Sequence, residues 1–280
     1  MEIRQALRDG VALLEEHGVG SPRMNAEVLL MFVLACNRAY LYAHPERELS
    51  AEEEARYQEA LAQRARAVPA QYITGHQEFW GLDFLVGPGV LIPRPETEHV
   101  VETVLELVKT IAEPRVVDVG TGSGAIALAL ASELPQARVE ATEISPEALE
   151  TARANAARLR LDGHVTFHNT DLLNGVDEGA FDVVASNPPY VGDSEEDKVQ
   201  LEVRKFEPRC AVFAGPEGLD VIRRLAPQSR QVLKPGGWLV MEIGFSMEEK
   251  VRELLSAWAE LRVVPDLRGI PRVIAAQKQP

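Results

Sequence analysis

The stretch RVVDVGTGSGAIALALASEL, residues 115–134, joins a short β-branched run to an alanine- and leucine-rich run through a loop with three glycines. A β-branched run that ends at glycine is typical of a buried strand, and the long apolar run after it is typical of a buried helix. The same alternation continues to residue 277. It predicts a doubly wound, mostly parallel sheet with helices on both faces.

Residue composition and periodicity differ between the segments on either side of this stretch. The first seventy residues show helical periodicity, with Ser21 before Pro22 as a predicted N-cap and Ser50 with Glu53 as a predicted capping box. Residues 72–98 mix glycine, proline and aromatic residues with β-branched ones, which indicates a hairpin or a bent connection. The later helix that begins at Pro146 has Ser145 as its predicted N-cap.

The composition restricts the classes of function. The chain has 280 residues, of which 46% are hydrophobic and 26% charged, and its net charge is −14. This charge argues against broad contact with nucleic-acid phosphates and favours a protein partner or a small substrate. The longest apolar run, residues 28–36, is too short to span a bilayer. Cys36 and Cys210 fit no metal-ligand spacing, so we expect a cytoplasmic protein that holds no metal.

The glycine loop predicts a binding site for a nucleoside cofactor. Gly120, Gly122 and Gly124 allow a ligand to approach the backbone, and with Ala125 they also fit the dinucleotide-binding fingerprint. Glu143 ends the next strand, where its carboxylate could accept hydrogen bonds from ribose hydroxyls. The alternative is a tight turn that only packs a helix on the sheet.

Two aspartates bear on which nucleoside this is. Asp118 places a carboxylate near the helix N-terminus, which disfavours the pyrophosphate of NAD and suits the ammonium group of S-adenosylmethionine. Asp171 ends the third strand and could accept a hydrogen bond from the adenine amino group. An Asx turn after the strand is an equally good interpretation of Asp171.

The segment SNPPYVG, residues 186–192, comes after the fourth strand at the same predicted edge of the sheet. Asn187 offers a carbonyl acceptor, Pro188 and Pro189 stiffen the backbone and lack N–H groups, and Tyr190 can stack on a planar group. Such a corner suits a substrate NH₂ group attached to a π system. The alternative is a rigid loop around a buried tyrosine.

DVGTGSG followed by NPPY resembles the class I S-adenosylmethionine-dependent methyltransferases that modify planar amino groups. With YITGHQEFWGLDF, LIPRPETE and FEPRCAVFAGPEGLD, the chain closely resembles the HemK/PrmC protein glutamine methyltransferases over nearly its whole length. The resemblance implies a seven-stranded class I methyltransferase fold with a small N-terminal helical domain. It also implies methyl transfer from S-adenosylmethionine, with S-adenosylhomocysteine as product, to the Gly-Gly-Gln glutamine of class I peptide-chain release factors.

The resemblance also implies roles for individual residues. One departure is that Glu143 stands where this family commonly has Asp. The RPETE segment, residues 94–98, would border the pocket. The residues implied for the cofactor are Gly120, Thr121, Gly122, Ser123, Gly124, Glu143, Asp171, Leu172 and Asn187; those implied for the substrate amide are Asn187, Pro188, Pro189 and Tyr190, with Asn187, Pro188 and Tyr190 as catalytic residues.

The predicted domain division has three parts: a helical substrate-docking domain (1–74), a hairpin-like connection (75–95) and a methyltransferase domain (96–280). We expect a cytoplasmic monomer that binds neither nucleic acid nor membrane directly. A ribosomal-protein glutamine methyltransferase remains an alternative that these motifs do not separate. A nucleic-acid amino (adenine) methyltransferase, an NAD-linked oxidoreductase and a non-catalytic cofactor-binding module are weaker alternatives.

Overall fold

The computed structural model describes all 280 residues, Met1–Pro280. Residues contact one another in two compact units: Met1–His76 with Gln200–Phe206, and Gln77–Val199 with Glu207–Pro280. The helices are α1 Ile3–Glu16, α2 Pro22–Leu34, α3 Arg38–Ala43, α4 Ala51–Ala65, α5 Ala70–Thr74, α6 Glu98–Val108, α7 Ala125–Glu133, α8 Pro146–Leu159, α9 Leu201–Phe206, α10 Arg209–Val212, α11 Asp220–Val232 and α12 Glu248–Leu254, with short 3₁₀ turns at Pro95–Thr97 and Asp193–Lys198. The strands are β1 His76–Phe79, β2 Leu82–Leu85, β3 Arg115–Val119, β4 Arg138–Glu143, β5 Val165–Asn169, β6 Phe181–Ser186, β7 Leu233–Glu242, β8 Glu260–Pro265 and β9 Pro271–Gln277.

The first unit is helical, and the N-termini of its helices are capped in different ways. The capping box at α4 is confirmed: the Ser50 hydroxyl accepts from the Glu53 N–H at 3.1 Å, and the Glu53 carboxylate accepts from the Ser50 N–H at 2.8 Å. The prediction for Ser21 is wrong, because its side chain makes no capping hydrogen bond and its backbone is left-handed, with φ +50°. Pro22 at the first helical position sets the start of α2 instead.

A buried arginine ties α9 to the rest of this unit. Arg64 donates from Nε to Asn25 at 2.8 Å and from Nη1 to the Val68 carbonyl at 3.1 Å. Its Nη2 lies 2.6 Å from a carboxylate oxygen of Glu202 on α9. All faces of the guanidinium group therefore have partners, as a buried charge requires.

The second unit contains the doubly wound sheet that the alternation predicts. Its seven strands lie in the order β5-β4-β3-β6-β7-β9-β8. The pairs from β5 to β7 are parallel, and β9 runs antiparallel to both β7 and β8. From β3 the chain adds β4 and then β5 on one side of the sheet. It then returns to the other side of β3 and adds β6 and β7 there, so the strand order reverses between β3 and β6. Ligands bind at such a reversal in open α/β sheets.

Helices cover this sheet through apolar contacts. Side chains of α11 and α12, such as Ile222 and Val251, pack with Val117, Val184 and Leu239 of the central strands. Helix α6 packs against β6, β7 and β9, and α7 against β3, β4 and β5. Because the central strands are buried, they are almost uninterrupted runs of apolar residues.

The connection before the sheet contains the hairpin that its composition predicts. Strands β1 and β2 pair as a separate two-stranded sheet, joined through Trp80 and Gly81, which have φ +55° and +69°. The first residues of the segment, Tyr72 to Thr74, end the short helix α5 instead. None of the helices has both the length and the apolar character needed to cross a membrane.

The difference between the two serine caps gives a test of local stability. Ser50→Ala removes one capping hydrogen bond, so we expect the free energy of unfolding to fall by about 1 kcal/mol. Ser21→Ala is the matched control and should change it by less than about 0.5 kcal/mol, because no capping bond is lost. Urea unfolding followed by circular dichroism measures both. Equal losses would contradict this account of the caps.

Candidate functional site

The register of the sheet brings the ends of four strands into one row. Val119 of β3 pairs with Thr142 of β4 and with Ser186 of β6, and Ser186 pairs with Met241 of β7. The next residue after each of these positions therefore lies at the carboxyl edge of the sheet, and these four are neighbours: Gly120, Glu143, Asn187 and Glu242. All of the candidate site lies in the second unit.

The glycine loop uses its own N–H groups to bind the neighbouring strand. The N–H groups of Gly120 and Thr121 both donate to the Thr142 carbonyl, at 2.9 and 3.0 Å. The N–H of Gly122 donates to Oε2 of Glu143 at 2.9 Å. Because these three donors do not face a ligand, the loop offers fewer N–H groups to a pyrophosphate, which disfavours an NAD-linked oxidoreductase.

The loop is nevertheless open on its outer side. Gly120 and Gly122 have φ +70° and +56°, and a Cβ added to either would meet no atom within 4 Å. Glycine is thus required here by backbone conformation, while the space beside it is free for a ligand. Buried Asn155 of α8 holds the loop from behind, because its Nδ2 donates to the Ser123 carbonyl at 2.9 Å.

Asp118 is a fully buried carboxylate with one oxygen in use. Its Oδ2 accepts from the Thr121 hydroxyl at 2.6 Å and from the Ala127 N–H at 3.2 Å, whereas its Oδ1 has no partner. Burial raises the pKa of Asp118 to about 7, against the lowering effect of these two hydrogen bonds. An unpaired buried carboxylate oxygen is costly, so this atom is suited to a cationic ligand group.

Glu143 has both of its oxygens engaged with backbone. Oε2 accepts from Gly122 and Oε1 accepts from the N–H of Ser145 at 2.9 Å. Each carboxylate oxygen has a second lone pair, so ribose hydroxyls could still donate to it. The predicted cap at α8 is confirmed, since the Ser145 hydroxyl accepts from Ala148 at 3.2 Å.

Asp171 and Leu172 come after β5 at the same edge of the sheet. The Asp171 Oδ2 is ion-paired with Arg224 of α11, and the carboxylate keeps lone pairs that could accept from an adenine amino group. Leu172 has φ +53°, which is unusual for a side chain of this size, and it packs partly buried against the sheet's core. Backbone strain of this kind concentrates at ligand-binding sites.

The NPPY corner is held by a later segment of the chain. Val191 donates its N–H to the Val212 carbonyl, and its own carbonyl accepts from Ala214, both at 3.0 Å. Gly218 lies so close to the Tyr190 carbonyl that an added Cβ would approach it to 2.2 Å. The FEPRCAVFAGPEG segment therefore supports the corner directly, and only glycine fits at 218.

A network around Glu242 was not predicted from the sequence. Glu242 is 2% exposed; its Oε2 accepts from the Thr97 hydroxyl at 2.5 Å and its Oε1 from the Tyr190 hydroxyl at 3.0 Å. Asn187 joins the network because its Nδ2 donates to Thr97 at 3.0 Å. Burial raises the pKa of Glu242, and the nearby Glu242 charge, with burial, raises the pKa of Tyr190. The usable signal was an acid at the end of an apolar strand, as at Glu143.

The RPETE segment reaches the site through two of its residues. Thr97 lies in the network, and Arg94 pairs with the buried carboxylate of Glu207, which also accepts from the Ile92 N–H at 3.1 Å. Glu96 faces Arg272 of β9 at 3.8 Å. The structure thus brings together the glycine loop, the NPPY corner, RPETE and Glu207 of the FEP segment, all of which the sequence singled out.

Solved structures of low identity show the same fold. The hMettl16 catalytic domain in complex with a MAT2A 3′UTR hairpin matches with a TM-score of 0.59 at 17% identity, over 87% of this chain and 95% of that one. A T. thermophilus 16S rRNA methyltransferase in complex with AdoMet and guanosine matches with a TM-score of 0.52 at 19% identity, over 73% of this chain and 50% of that one.

Sequence comparisons are more specific. Residues 5–75 match the family model of the PrmC N-terminal domain, and residues 96–205 match that of the methyltransferase small domain. A release factor glutamine methyltransferase of Koribacter versatilis is 57% identical over 99% of both chains. One of Moorella thermoacetica is 43% identical over 100% of this chain and 99% of its own. With this site geometry and identity over its full length, the chain belongs to the release factor glutamine methyltransferase family.

Proposed function

We propose that this chain transfers a methyl group from S-adenosylmethionine to the side-chain amide nitrogen of the Gly-Gly-Gln glutamine in class I peptide-chain release factors. The observation that carries the proposal is 57% identity over 99% of both chains to a relative with that named activity. The site agrees with it, because the glycine loop and the NPPY corner meet at one sheet edge. S-adenosylhomocysteine would be the other product.

The residues present fit the proposed cofactor. The unpaired Oδ1 of Asp118 would accept from the ammonium group, and the open side of Gly120 and Gly122 would admit the methionine part. Glu143 would hold the ribose hydroxyls through its remaining lone pairs, and Asp171 with Leu172 would flank the adenine. Thr121, Ser123 and Gly124 of the same loop would also line the methionine part of the cofactor. Asn187 would lie at the border between cofactor and substrate.

The proposed mechanism is direct transfer by alignment. S-adenosylmethionine supplies a methyl group already activated by its sulfonium centre. Asn187 would accept a hydrogen bond from the substrate NH₂ through Oδ1, and the Pro188 carbonyl would accept the other. Holding the groups in line can lower the barrier by roughly 7–11 kcal/mol. Pro189 would keep this backbone rigid and Tyr190 would pack on the amide plane. No residue of the corner is placed as a strong base, so we expect the proton to leave after transfer.

We propose further that the helical part of the chain, residues 1–74, docks the release factor. Exposed apolar side chains on α2 and α3 support this role, among them Met24, Phe32 and Tyr42. The net charge of −14 supports a protein partner over direct contact with nucleic acid. We expect a monomer acting in the cytoplasm, where release factors work.

The decisive experiment is methyl transfer from labelled cofactor to a purified class I release factor. A release factor with the Gly-Gly-Gln glutamine replaced by alanine serves as the matched substrate control. We expect label on the first protein and none on the second. Label on both, or on ribosomal protein alone, would overturn the substrate assignment.

Asn187→Ala tests the acceptor role. We expect turnover to fall by about 10²–10³, the cost of losing one stabilising group at a reacting centre, while cofactor affinity stays within about threefold. The control is Asn174→Ala, which removes an exposed asparagine amide from the loop after Asp171. Single-turnover assays and calorimetry measure the two quantities. Near-normal turnover of Asn187→Ala would exclude the role.

From the raised pKa of Asp118 we expect cofactor binding to depend on pH. Its raised pKa, about 7, means that the folded protein holds a proton on this carboxyl below neutrality. The ammonium group favours the ionised form, so affinity should rise by about tenfold from pH 6.0 to pH 7.5, with release of a proton. By the same linkage, Asp118 lowers the stability of the ligand-free protein as pH rises from about 4 to 7.

Calorimetry in two buffers of different ionisation enthalpy detects the released proton. Asp118→Asn is the control, and it should bind more weakly with little dependence on pH. A wild-type affinity that does not change over this range would show that Asp118 does not meet the ammonium group.

A further inference from the structure

Three side chains connect the reacting corner to a carboxylate at the end of β7. Asn187 donates to Thr97, and Thr97 donates to Glu242, at 3.0 and 2.5 Å. Tyr190 donates to the other oxygen of Glu242 at 3.0 Å. Thr97 is 4% exposed and Glu242 2%, so these hydrogen bonds do not compete with bulk water.

While Glu242 is ionised, the donors and acceptors allow only one direction through this chain. An ionised carboxylate can only accept, so the single hydroxyl hydrogen of Thr97 points to Glu242. The Thr97 oxygen then has lone pairs alone to offer to Asn187. Asn187 must therefore turn its NH₂ toward Thr97, and its Oδ1 faces the other way.

The direction matters because an asparagine amide can face either way with nearly the same shape. If Asn187 were reversed, it would present an NH₂ donor to a substrate NH₂, and two donors cannot bind each other. We propose that Glu242 and Thr97 are positioning residues that fix the orientation of the Asn187 amide, so that its carbonyl oxygen faces the substrate glutamine. This inference rests on the proposed function for the identity of the substrate group.

Protonation of Glu242 on Oε2, the oxygen that faces Thr97, would reverse the same chain. The carboxyl proton would go to Thr97, and the Thr97 hydrogen would then be free for Asn187, which would favour the reversed amide. The charged groups that face this carboxyl are Glu96 on the 3₁₀ turn and Arg272 on β9; Tyr190 lies against it, and Arg94 acts on Tyr190. Burial raises the pKa of Glu242, with Glu96 adding to the rise and Arg272 opposing it.

Thr97 offers a closely matched pair of variants. Thr97→Val keeps the shape and removes the hydroxyl, whereas Thr97→Ser keeps the hydroxyl and loses only a methyl group. We expect kcat at saturating cofactor to fall by about 10²-fold in Thr97→Val, the scale of loss from a misplaced group, and to stay within about threefold in Thr97→Ser. Cofactor affinity should stay within about twofold of wild type in both variants.

Glu242→Gln tests the carboxylate itself. Its amide keeps one acceptor and adds one donor, so either Thr97 or Tyr190 loses its acceptor. We expect kcat to fall by at most the loss in Thr97→Val, because the amide oxygen can still accept from Thr97 when its NH₂ faces Tyr190, with little change in the KM for the release factor. Because protonation of Glu242 favours the reversed amide, we expect wild-type kcat to fall at acidic pH, and this fall should persist in Thr97→Ser and be absent in Thr97→Val.

A second measurement does not depend on any substrate. In protein labelled with ¹⁵N-asparagine, the Asn187 side-chain NH₂ should be protected from exchange in the wild type and in Thr97→Ser, and unprotected in Thr97→Val. Wild-type kcat in Thr97→Val would overturn the inference, as would equal losses in Thr97→Ser and Thr97→Val. If the wild type methylates no release factor, the proposed function fails, and the exchange measurement still decides on the orientation of Asn187.

Discussion

The pairing of β6 with β3 on one side and β7 on the other is the constraint on which the candidate site depends. It aligns Val119, Ser186 and Met241, and so places the residue after each of them at the same edge of the sheet. The Ser186 hydroxyl adds a cross-strand bond to the Val119 carbonyl at 2.8 Å. A slip of one residue would turn every side chain of β6 to the other face of the sheet. Because both faces of β6 are buried, the close packing of its side chains against the helices on each side holds this register, so the core's packing also positions the polar residues at its edge.

Three buried acids lie in β3, β4 and β7 near the carboxyl edge of the sheet, in different electrostatic situations. Glu143 and Glu242 each have hydrogen-bond donors on both oxygens, so these carboxylates hold backbone and side chains in place. Asp118 is satisfied on one oxygen only. A folded chain keeps an unsatisfied buried group when something else compensates its cost. One of the three acids therefore keeps an unpartnered buried oxygen, while the other two hold the backbone and side chains around it.

Much of the fold follows from local pattern. The alternation after residue 115 was enough to predict the sheet, because a buried parallel strand and its helix each leave a recognisable run. Ser21 and Ser50 show the limit: both precede a good helix start, but Ser21 has a left-handed backbone and makes no capping hydrogen bond, which its residue type does not reveal. An acid at the end of an apolar strand was a signal for Glu242, but its neighbours could not be assigned from the sequence, since only the register of β7 places it beside a residue 55 positions earlier in the chain, Asn187. The pairing of Val191 with Phe213 is long-range in the same sense.

Helix α9 changes how the chain can be divided. The segment Gln200–Phe206 belongs to the first unit, although the residues on both sides of it belong to the second. Glu202 supplies an ionic partner to the buried Arg64, so a fragment that ends at residue 76 would leave this guanidinium group without its carboxylate. A fragment that starts at residue 77 would contain α9 without the first-unit residues that it contacts. The two units are interleaved along the chain, and a cut at one linker cannot yield both of them intact.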